Sequence, residues 1–412
     1  MREKTVVVIP GSKWQIPIVT RLKNEGYRTL VINPYKDSPA FPYADGHLEA
    51  DIFNADAVIG YCKREHADAI ISEECDIAML ALANYGKILG FSTLSVESAA
   101  LYTNKVLMRD FCRDNGIPHP EYKLCKSMNE AIKFFETLKT KMIMKPLDSN
   151  SSRGVYTVAN IDDIKRNFQD SLLFSRTEKA VLLERYIDGP EFTIDGIKTP
   201  DKHFSLMISE KKHYAHNDNI AHELYFSHEN SRYDYSLLKK VNDSFVDKSP
   251  LNFGLTHAEY KYENGQFYLI EIAARGGGNL MSSHIVPFMS GIDNYKYLID
   301  CSLGNIANAD FSIKAQYLKR VAVLKFFDTP EHGGIVKEIQ GLDYLKSTPE
   351  IIQYSFNFKV GDRIGDAKDD SSRIGFYIAC CESKEKLESV MYDVKEKVRI
   401  CLTNGEKNRR PS

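Results

Sequence analysis

The chain has 412 residues, 43% apolar and 27% charged, with a formal net charge of −2 at pH 7. At about one domain per 150 residues, that length predicts two or three domains with sizeable cores. The near-neutral balance removes a bulk electrostatic reason to expect nucleic acid or an anionic membrane as partner. No apolar run approaches the ~20 residues that span a bilayer, and the opening MREKTVVVIPG reads as a first strand and not a signal peptide. The expectation is a cytoplasmic protein. Its eight cysteines (62, 75, 112, 125, 301, 380, 381, 401) form no Cys-x-x-Cys pair and lie inside apolar patterns, which predicts buried free thiols rather than disulfides or zinc ligands.

Residues 5 to 100 alternate β-rich and helical runs: TVVVIP, a helix from about Gln15 to Glu25, TLVIN, a helix around Ala55 to His66, DAIIS, and a helix through Leu80 to Gly86. That alternation predicts a parallel sheet with right-handed crossovers. Such sheets bind small molecules beyond the carboxyl ends of their strands. Those ends carry Pro10, Gly11 and Ser12, then Asn33 and Pro34, then Ser72, Glu73, Glu74 and Asp76. Without a Gly-x-Gly-x-x-Gly fingerprint a dinucleotide site is not expected, which leaves ordinary strand-end turns or a substrate site.

Asn104 to Pro120, NKVLMRDFCRDNGIPHP, has Val106, Met108 or Leu107, Phe111 and Cys112 at helical spacing, closed by Asn115-Gly116 and the prolines 118 and 120. Lys105 sits in the first turn, where it opposes the helix dipole and calls for another justification, such as a phosphate nearby. A helix from Asn129 to Thr140 and the strand KMIMKPL follow, with Lys145 near the strand's end. Asp148-Ser-Asn-Ser-Ser-Arg-Gly154 comes next, before the strand VYTVA. Its small polar residues leave backbone N–H groups for phosphate oxygens, or form a mobile surface hairpin. In AVLLERYIDGPEFTID (180–195) an apolar strand ends in Glu184, a Gly189-Pro190 turn follows, and a second strand carries Glu191. Glu184 and the backbone after it could meet a purine edge, or form a salt-bridged strand end. KKHYAHNDNIAHELYFSHEN (211–230) places His213, His216, His222 and His228 at spacings of 3, 6 and 6, which match no common zinc pattern. A loop covering the substrate is expected there.

THAEYKYENGQFYLIEIAARGGGN (256–279) puts Glu259 and Glu271 on two alternating runs joined by Glu263, Asn264 and Gly265, a strong hairpin signal. Strict alternation assigns Phe267, Leu269, Glu271, Ala273 and Arg275 to one face and Tyr268, Ile270, Ile272 and Ala274 to the other. Neighbouring carboxylates repel unless a cation lies between them, and hard oxygen ligands suit Mg²⁺ bound together with substrate phosphates. Solvated acids on a surface hairpin are the alternative. From about Leu318 the strands RVAVLKFF, GGIVKEIQG and SRIGFYIACC and a helix from Lys384 to Val398 predict an antiparallel sheet with a covering helix, before a polar, disordered tail.

In this order and at these separations, Lys105, Lys145, the Ser/Gly loop, Glu184-x6-Glu191 and Glu259-x11-Glu271-x3-Arg275 resemble the ATP-grasp superfamily. The branch is that of the carboxylate–amine ligases, with carbamoyl-phosphate-synthetase and biotin-carboxylase-like ATP domains, and the resemblance covers about residues 5 to 400. It implies an α/β and α+β chain: a preATP-grasp Rossmann-like domain (1–103), an ATP-grasp fold (104–310, with a nucleotide subdomain at about 122–190), a small C-terminal α+β domain (311–402) and the tail (403–412). ATP and Mg²⁺, with Mn²⁺ as a substitute, are the implied cofactors.

By the same resemblance Lys105 and Lys145 neutralise the α- and β-phosphates, and the loop with Ser149, Ser151, Ser152 and Gly154 closes over the β- and γ-phosphates. Glu184 with the backbone of Arg185 and Ile187 holds adenine, and Glu191 takes the ribose hydroxyls. Glu259 and Glu271 ligate the metal, and Arg275 stabilises an acyl phosphate and its tetrahedral successor. The exposed N–H groups of the Gly276-Gly277-Gly278 turn suit a substrate carboxylate or acyl phosphate; apart from the resemblance, Glu73 at its strand end and His216 in the histidine-bearing stretch are further substrate candidates. The family usually has Asn two residues after the second metal carboxylate; Ala273 stands there, one oxygen ligand fewer. The implied activity is an ATP-dependent ligase that activates a small-molecule carboxylate as an acyl phosphate and joins it to an amine, releasing ADP and phosphate. A carboxylase or phosphotransferase, and a non-catalytic nucleotide-binding regulatory protein, are the alternatives. A homodimer is the family-level expectation, with neither nucleic acid nor membrane as partner.

Overall fold

The computed structural model describes residues 3–147, 154–175, 178–214, 217–328, 333–365 and 373–403. Contacts divide the chain into one unit with Met1–Asn150, Gly154–Ile208 and Glu229–Ala315, and a second with Ser209–His228 and Gln316–Ser412.

The first unit begins with β1 (Thr5–Val8), α1 (Ile16–Asn24), β2 (Arg28–Asn33), β3 (Gly46–Glu49), α2 (Ala55–Arg64) and β4 (Ala69–Ile71). The strand order is β3-β2-β1-β4 and every pairing is parallel; α1 makes the crossover from β1 to β2, while β2 and β3 are joined through only a short 3-10 turn at Phe41–Tyr43. β3 is the strand the sequence pattern does not reveal, because its GHLE lies at the sheet edge with no fully buried residue. The helices α3 (Met79–Leu89) and α4 (Val96–Thr103) follow, then α5 (Lys105–Asn115). The Asn104 side chain caps α5 by accepting from the N–H groups of Val106 and Leu107. Gly116, at φ +67°, ends it. This framing turns Lys105, Met108, Arg109 and Cys112 inward.

A second sheet, β5-β8-β6-β7, is made of β5 (Tyr122–Cys125), β6 (Met142–Pro146), β7 (Tyr156–Val158) and β8 (Val181–Arg185), all antiparallel. Its outer face is covered by α6 (Met128–Leu138) and α7 (Ile161–Leu173), with Ile164 and Phe168 packed on Met142, Met144 and Leu183. After β8 the chain leaves this sheet, so Gly189-Pro190 joins two sheets instead of closing a hairpin. The third sheet of this unit is ordered β13-β12-β9-β10, from β9 (Glu191–Lys198), β10 (His203–Tyr214), β12 (Gly254–Glu263) and β13 (Gln266–Ala273). Between β10 and β12 lie β11 (Asn217–Ser227) and α8 (Tyr235–Lys248). The histidine-bearing stretch is thus largely strand and not a covering loop: His213 belongs to β10 and His222 to β11, while His216 lies outside the described residues.

β12 and β13 form the expected hairpin, with Asn264 at φ +50° and Gly265 at φ +84°. Positive φ at both turn residues matches the strand twist. The face assignment is corrected. The register shifts between Glu259 and Tyr260, so that Tyr260 faces Leu269 while Glu259 faces Glu271, and Ile270 is the extra residue. Phe267 and Leu269 point into the core on one side of this bulge and Ile272 does so on the other. Glu271 therefore lies on the face opposite Phe267 and Leu269. The helices α9 (Val286–Ser290) and α10 (Asn294–Ser302) close the unit.

The second unit orders β11-β14-β18-β16 from β14 (Val321–Phe326), β16 (Ile351–Phe356) and β18 (Gly375–Cys381), with β17-β15-β19 beside it from β15 (Gly334–Gln340), β17 (Arg363–Ile364) and β19 (Arg399–Thr403). The helices α11 (Leu342–Ser347) and α12 (Lys384–Lys397) pack on a core that includes Val323, Tyr377, Ala379, Leu387 and Val390. All eight cysteines are free thiols, six of them buried.

Candidate active site

Register fixes which side chains of β9, β12 and β13 share a face. Thr193 lies opposite Glu259, which lies opposite Glu271; two residues along, Asp195 lies opposite His257, which lies opposite Ala273. Neighbouring strands present such facing residues on one surface, so the two proposed metal carboxylates are cross-strand neighbours. Both are open to solvent, with side-chain exposures of 30% for Glu259 and 46% for Glu271. The position facing Ala273 carries His257, whose Nδ1 is 3.1 Å from Asp195 Oδ2 and whose Nε2 is 4.0 Å from Glu259 Oε1.

Lys105 Nζ donates to Glu271 Oε1 at 2.8 Å. Partial enclosure works against ionisation of Glu271, but the Lys105 charge and hydrogen bond together hold the carboxyl below its usual range. Burial would likewise lower the Lys105 pKa, and Glu271 keeps it raised. On the second sheet Lys145 faces Leu182 in register and Glu184 faces Ile143, so Lys145 and Glu184 share a face diagonally. Lys145 Nζ is 2.6 Å from Glu184 Oε2, and Arg109 Nε is 2.7 Å from Glu184 Oε1. Burial of Glu184 works against its ionisation, yet the two cations drive its pKa down to about 2. Burial, opposed by Glu184, leaves the Lys145 pKa below its usual value.

Past β13 the Arg275 guanidinium grips Asp76 with Nε and Nη2 at 2.8 and 2.6 Å and donates through Nη1 to the Gly276 carbonyl at 2.7 Å. A bidentate grip of this kind sets the plane of the guanidinium. It links the end of the parallel sheet to the glycine turn. A Cβ on Gly276 would lie 2.1 Å from Ser282 Oγ and 2.2 Å from Glu73 Oε1; one on Gly277 would lie 2.6 Å from Asp195 Oδ1. Gly278 has nothing within 4 Å of that position. The Gly277 N–H donates to Asp195 Oδ1 at 2.9 Å.

Glu73 is fully buried and accepts from Ser282 Oγ at 2.7 Å; Glu74 accepts from the Leu280 N–H at 3.2 Å. Glu73 Oε2 and Glu74 Oε1 have no hydrogen-bond partner among the described residues. Burial pushes the Glu73 pKa up to about 7, and burial with the Glu73 charge raises the Glu74 pKa well above the usual carboxylate range. A small cavity bordered by Ser72, Glu73, Ser92, Arg275 and Gly276 opens beside them.

Of the other expected residues, Gly154 has φ +73°, and a Cβ there would meet the Phe174 ring at 2.6 Å. Arg185 bonds Glu121 and Glu263 at 2.6 and 2.7 Å, Ile187 is buried, and Glu191 faces Lys261 across β12. Ser149, Ser151, Ser152 and His216 lie outside the described residues. Sequence reasoning passed over Arg109, Asp195 and His257. Arg109 carried a legible signal, a charge four residues after Lys105 on the stripe with Met108 and Cys112. So did Asp195, two alternations beyond Glu191 on the same strand face.

Residues 138–284 match the ATP-grasp domain family, and residues 326–403 match L-amino acid ligase C-terminal domain 2. The structure of L-amino acid ligase from Bacillus licheniformis superposes with a TM-score of 0.83 at 19% identity, covering 98% of this chain and 100% of that one. At that identity the likeness shows the fold. Protein y4rH of Sinorhizobium fredii is 22% identical over 355 residues, 84% of this chain and 72% of that protein. Dapdiamide A synthase of Enterobacter agglomerans is 23% identical over 187 residues, 45% of this chain and 44% of that one. Two other curated relatives are matched over only 47% and 25% of their own lengths. The chain therefore carries a stretch of the ATP-grasp domain family at residues 138–284, followed by one of the L-amino acid ligase C-terminal type at residues 326–403.

Proposed function

We propose that the protein is an ATP-dependent carboxylate–amine ligase. The observation that carries this is the convergence, within one unit, of Lys105 with Glu271, Lys145 with Glu184, the Glu259–Glu271 pair, and an Arg275 held by Asp76 next to a glycine turn. The names of the Bacillus licheniformis and Enterobacter agglomerans proteins, a ligase and a synthase, support the same class.

In this reading Glu184 and the backbone from Arg185 to Ile187 take adenine, Glu191 the ribose, and Lys105 and Lys145 the phosphates. Ser149, Ser151, Ser152 and Gly154 would cover the phosphates. The donor set fits Mg²⁺: Glu259 and Glu271 are hard, adjacent and open to solvent, and no third His, Cys, Asp or Glu completes a cluster among the described residues, so water would fill the remaining positions. Mg²⁺, when bound, neutralises charge that develops on the transferring phosphoryl group. The substrate carboxylate oxygen bonds to the γ-phosphorus as the bond to the ADP oxygen breaks. The amine then attacks the acyl carbon, and phosphate leaves as the nitrogen loses its proton. Arg275, whose plane Asp76 fixes, is assigned the charge on the acyl phosphate and on its tetrahedral successor; Gly276 to Gly278 would allow the backbone close to the acyl group. Glu73, beside the cavity, belongs to the substrate side of this arrangement.

The test is ADP release with acids and amines supplied singly and in pairs across amino acids. ADP is expected only when both partners are present. Bicarbonate-dependent turnover without an amine, or release of AMP, would overturn the ligase reading.

A further inference from the structure

Arg109 lies wholly inside the first unit, with no exposed surface. Burying a guanidinium is costly unless its donors are met. Nε meets Glu184 Oε1 at 2.7 Å, and Nη2 meets the carbonyl of Ile270 at 2.6 Å; Nη1 has no partner among the described residues. Ile270 is the bulge residue of β13. A bulge leaves its extra residue outside the ladder, so Arg109 supplies the donor that this carbonyl lacks. The bulge in turn is what sets Glu271 across from Glu259. One side chain therefore holds the carboxylate on the second sheet and the backbone that aims a carboxylate on the third.

Glu184 also lies against Lys145, and Glu271 against Lys105. With these pairs formed, both lysines are directed at protein carboxylates. Contact with phosphate requires them to turn away. Glu271 then has a metal to meet, whereas Glu184 is buried, with a side-chain exposure of 3%, and would be left uncompensated but for Arg109. A buried charge that loses its only partner is strongly destabilising, enough to forbid the exchange.

Resting on the ATP reading above, we infer that Arg109 is a positioning residue for nucleotide binding: it neutralises Glu184 when Lys145 moves to phosphate, and it holds the Ile270 bulge that aims Glu271 at the metal. The consequence is specific. Arg109 matters most for nucleotide affinity while residue 184 is a carboxylate; only the smaller part that works through the Ile270 bulge remains when it is not.

The experiment is calorimetric binding of a non-hydrolysable ATP analogue with Mg²⁺ to the full chain. Wild type is compared with R109M, R109K, E184Q, R109M/E184Q and R109K/E184Q, with thermal melts alongside. R109M is expected to weaken binding tenfold or more in the wild-type background and less than threefold in the E184Q background. R109K, which keeps a charge beside Glu184 but not the planar two-donor grip, is expected to lose less affinity than R109M while still losing measurably in the wild-type background. Should R109M not fold, the same difference is read from R109K, which is expected to lose more affinity in the wild-type background than in the E184Q background. An equal loss in both backgrounds, or no loss, overturns the inference. Failure of the wild type to bind the analogue would instead overturn the ATP reading itself.

Discussion

Arg275 is the side chain whose setting says most about the chemistry. Asp76 holds it through two parallel hydrogen bonds, and a fixed cation with no reorganisation to make is the kind that stabilises a developing oxyanion. Arg275→Ala is expected to lower kcat for ligation by about 10²–10³ while the affinity for the ATP analogue changes little; an equal loss in both would assign Arg275 to nucleotide binding. Glu73 supplies a second prediction at this scale. Its pKa is raised to about 7 by burial, so between its unfolded value near 4.3 and about 7 the native state holds more protons than the unfolded chain. Stability from this group is complete below the unfolded value and is lost as pH rises through the folded one. Thermal stability is therefore expected to fall from pH 5 to pH 7.5, and Glu73→Gln should flatten that slope. An unchanged slope in the variant would show that Glu73 does not govern it.

Among the elements, the turn after β13 places the strictest demand on residue type. Gly277→Ala would bring a Cβ to 2.6 Å from Asp195 Oδ1 and 2.9 Å from His257 Nδ1, closer than side-chain atoms tolerate, so the turn and the Asp195–His257 contact must shift. A stability loss of about 1–3 kcal/mol with a marked fall in turnover is expected. Gly278→Ala, with open space around it, should be near neutral in both. Melting curves and initial rates of the two variants decide this, and equal behaviour would mean that crowding at Gly277 is relieved at no cost. The β13 bulge is the other element with a functional consequence: one extra residue moves Glu271 out of the core face and opposite Glu259. Alternation read from the sequence cannot detect it, because the apolar run FYLIEIAA is compatible with either register.

For the whole molecule, eight free cysteines mean that no covalent link contributes to stability. Burial pushes the thiols of Cys62, Cys75, Cys301 and Cys381 up to about 11 and those of Cys112 and Cys125 up to about 12. Such thiols are unreactive near neutral pH, since the thiolate is the nucleophile. Thiol titration at pH 8 is expected to label a minority of the eight in the native protein and all of them after unfolding, and reductant should not move the melting temperature. A shift on reduction would reveal a disulfide. No helix among the described residues is long and apolar enough to cross a membrane.

The parallel sheet of β1, β2 and β4, the α5 helix with Lys105 at its start, the Asn264-Gly265 hairpin and the order of charged residues along the chain were legible because each is a local signal: a period, a cap or a turn residue. Those signals also carry the resemblance to the ATP-grasp superfamily, since they lie in one order at characteristic separations. β3, the bulge at Ile270 and the passage of the chain from β8 to another sheet were not legible, because each depends on a neighbour that is distant in sequence. The same holds for the pairings that define the site. Lys105 with Glu271, Arg109 with Glu184 and Arg275 with Asp76 are 166, 75 and 199 residues apart. The amino-acid sequence by itself determined which chemical groups the protein owns and which strands and helices carry them. Only the tertiary structure decided which cation neutralises which acid, because charge pairing depends on distance and burial in space and leaves no period along the chain.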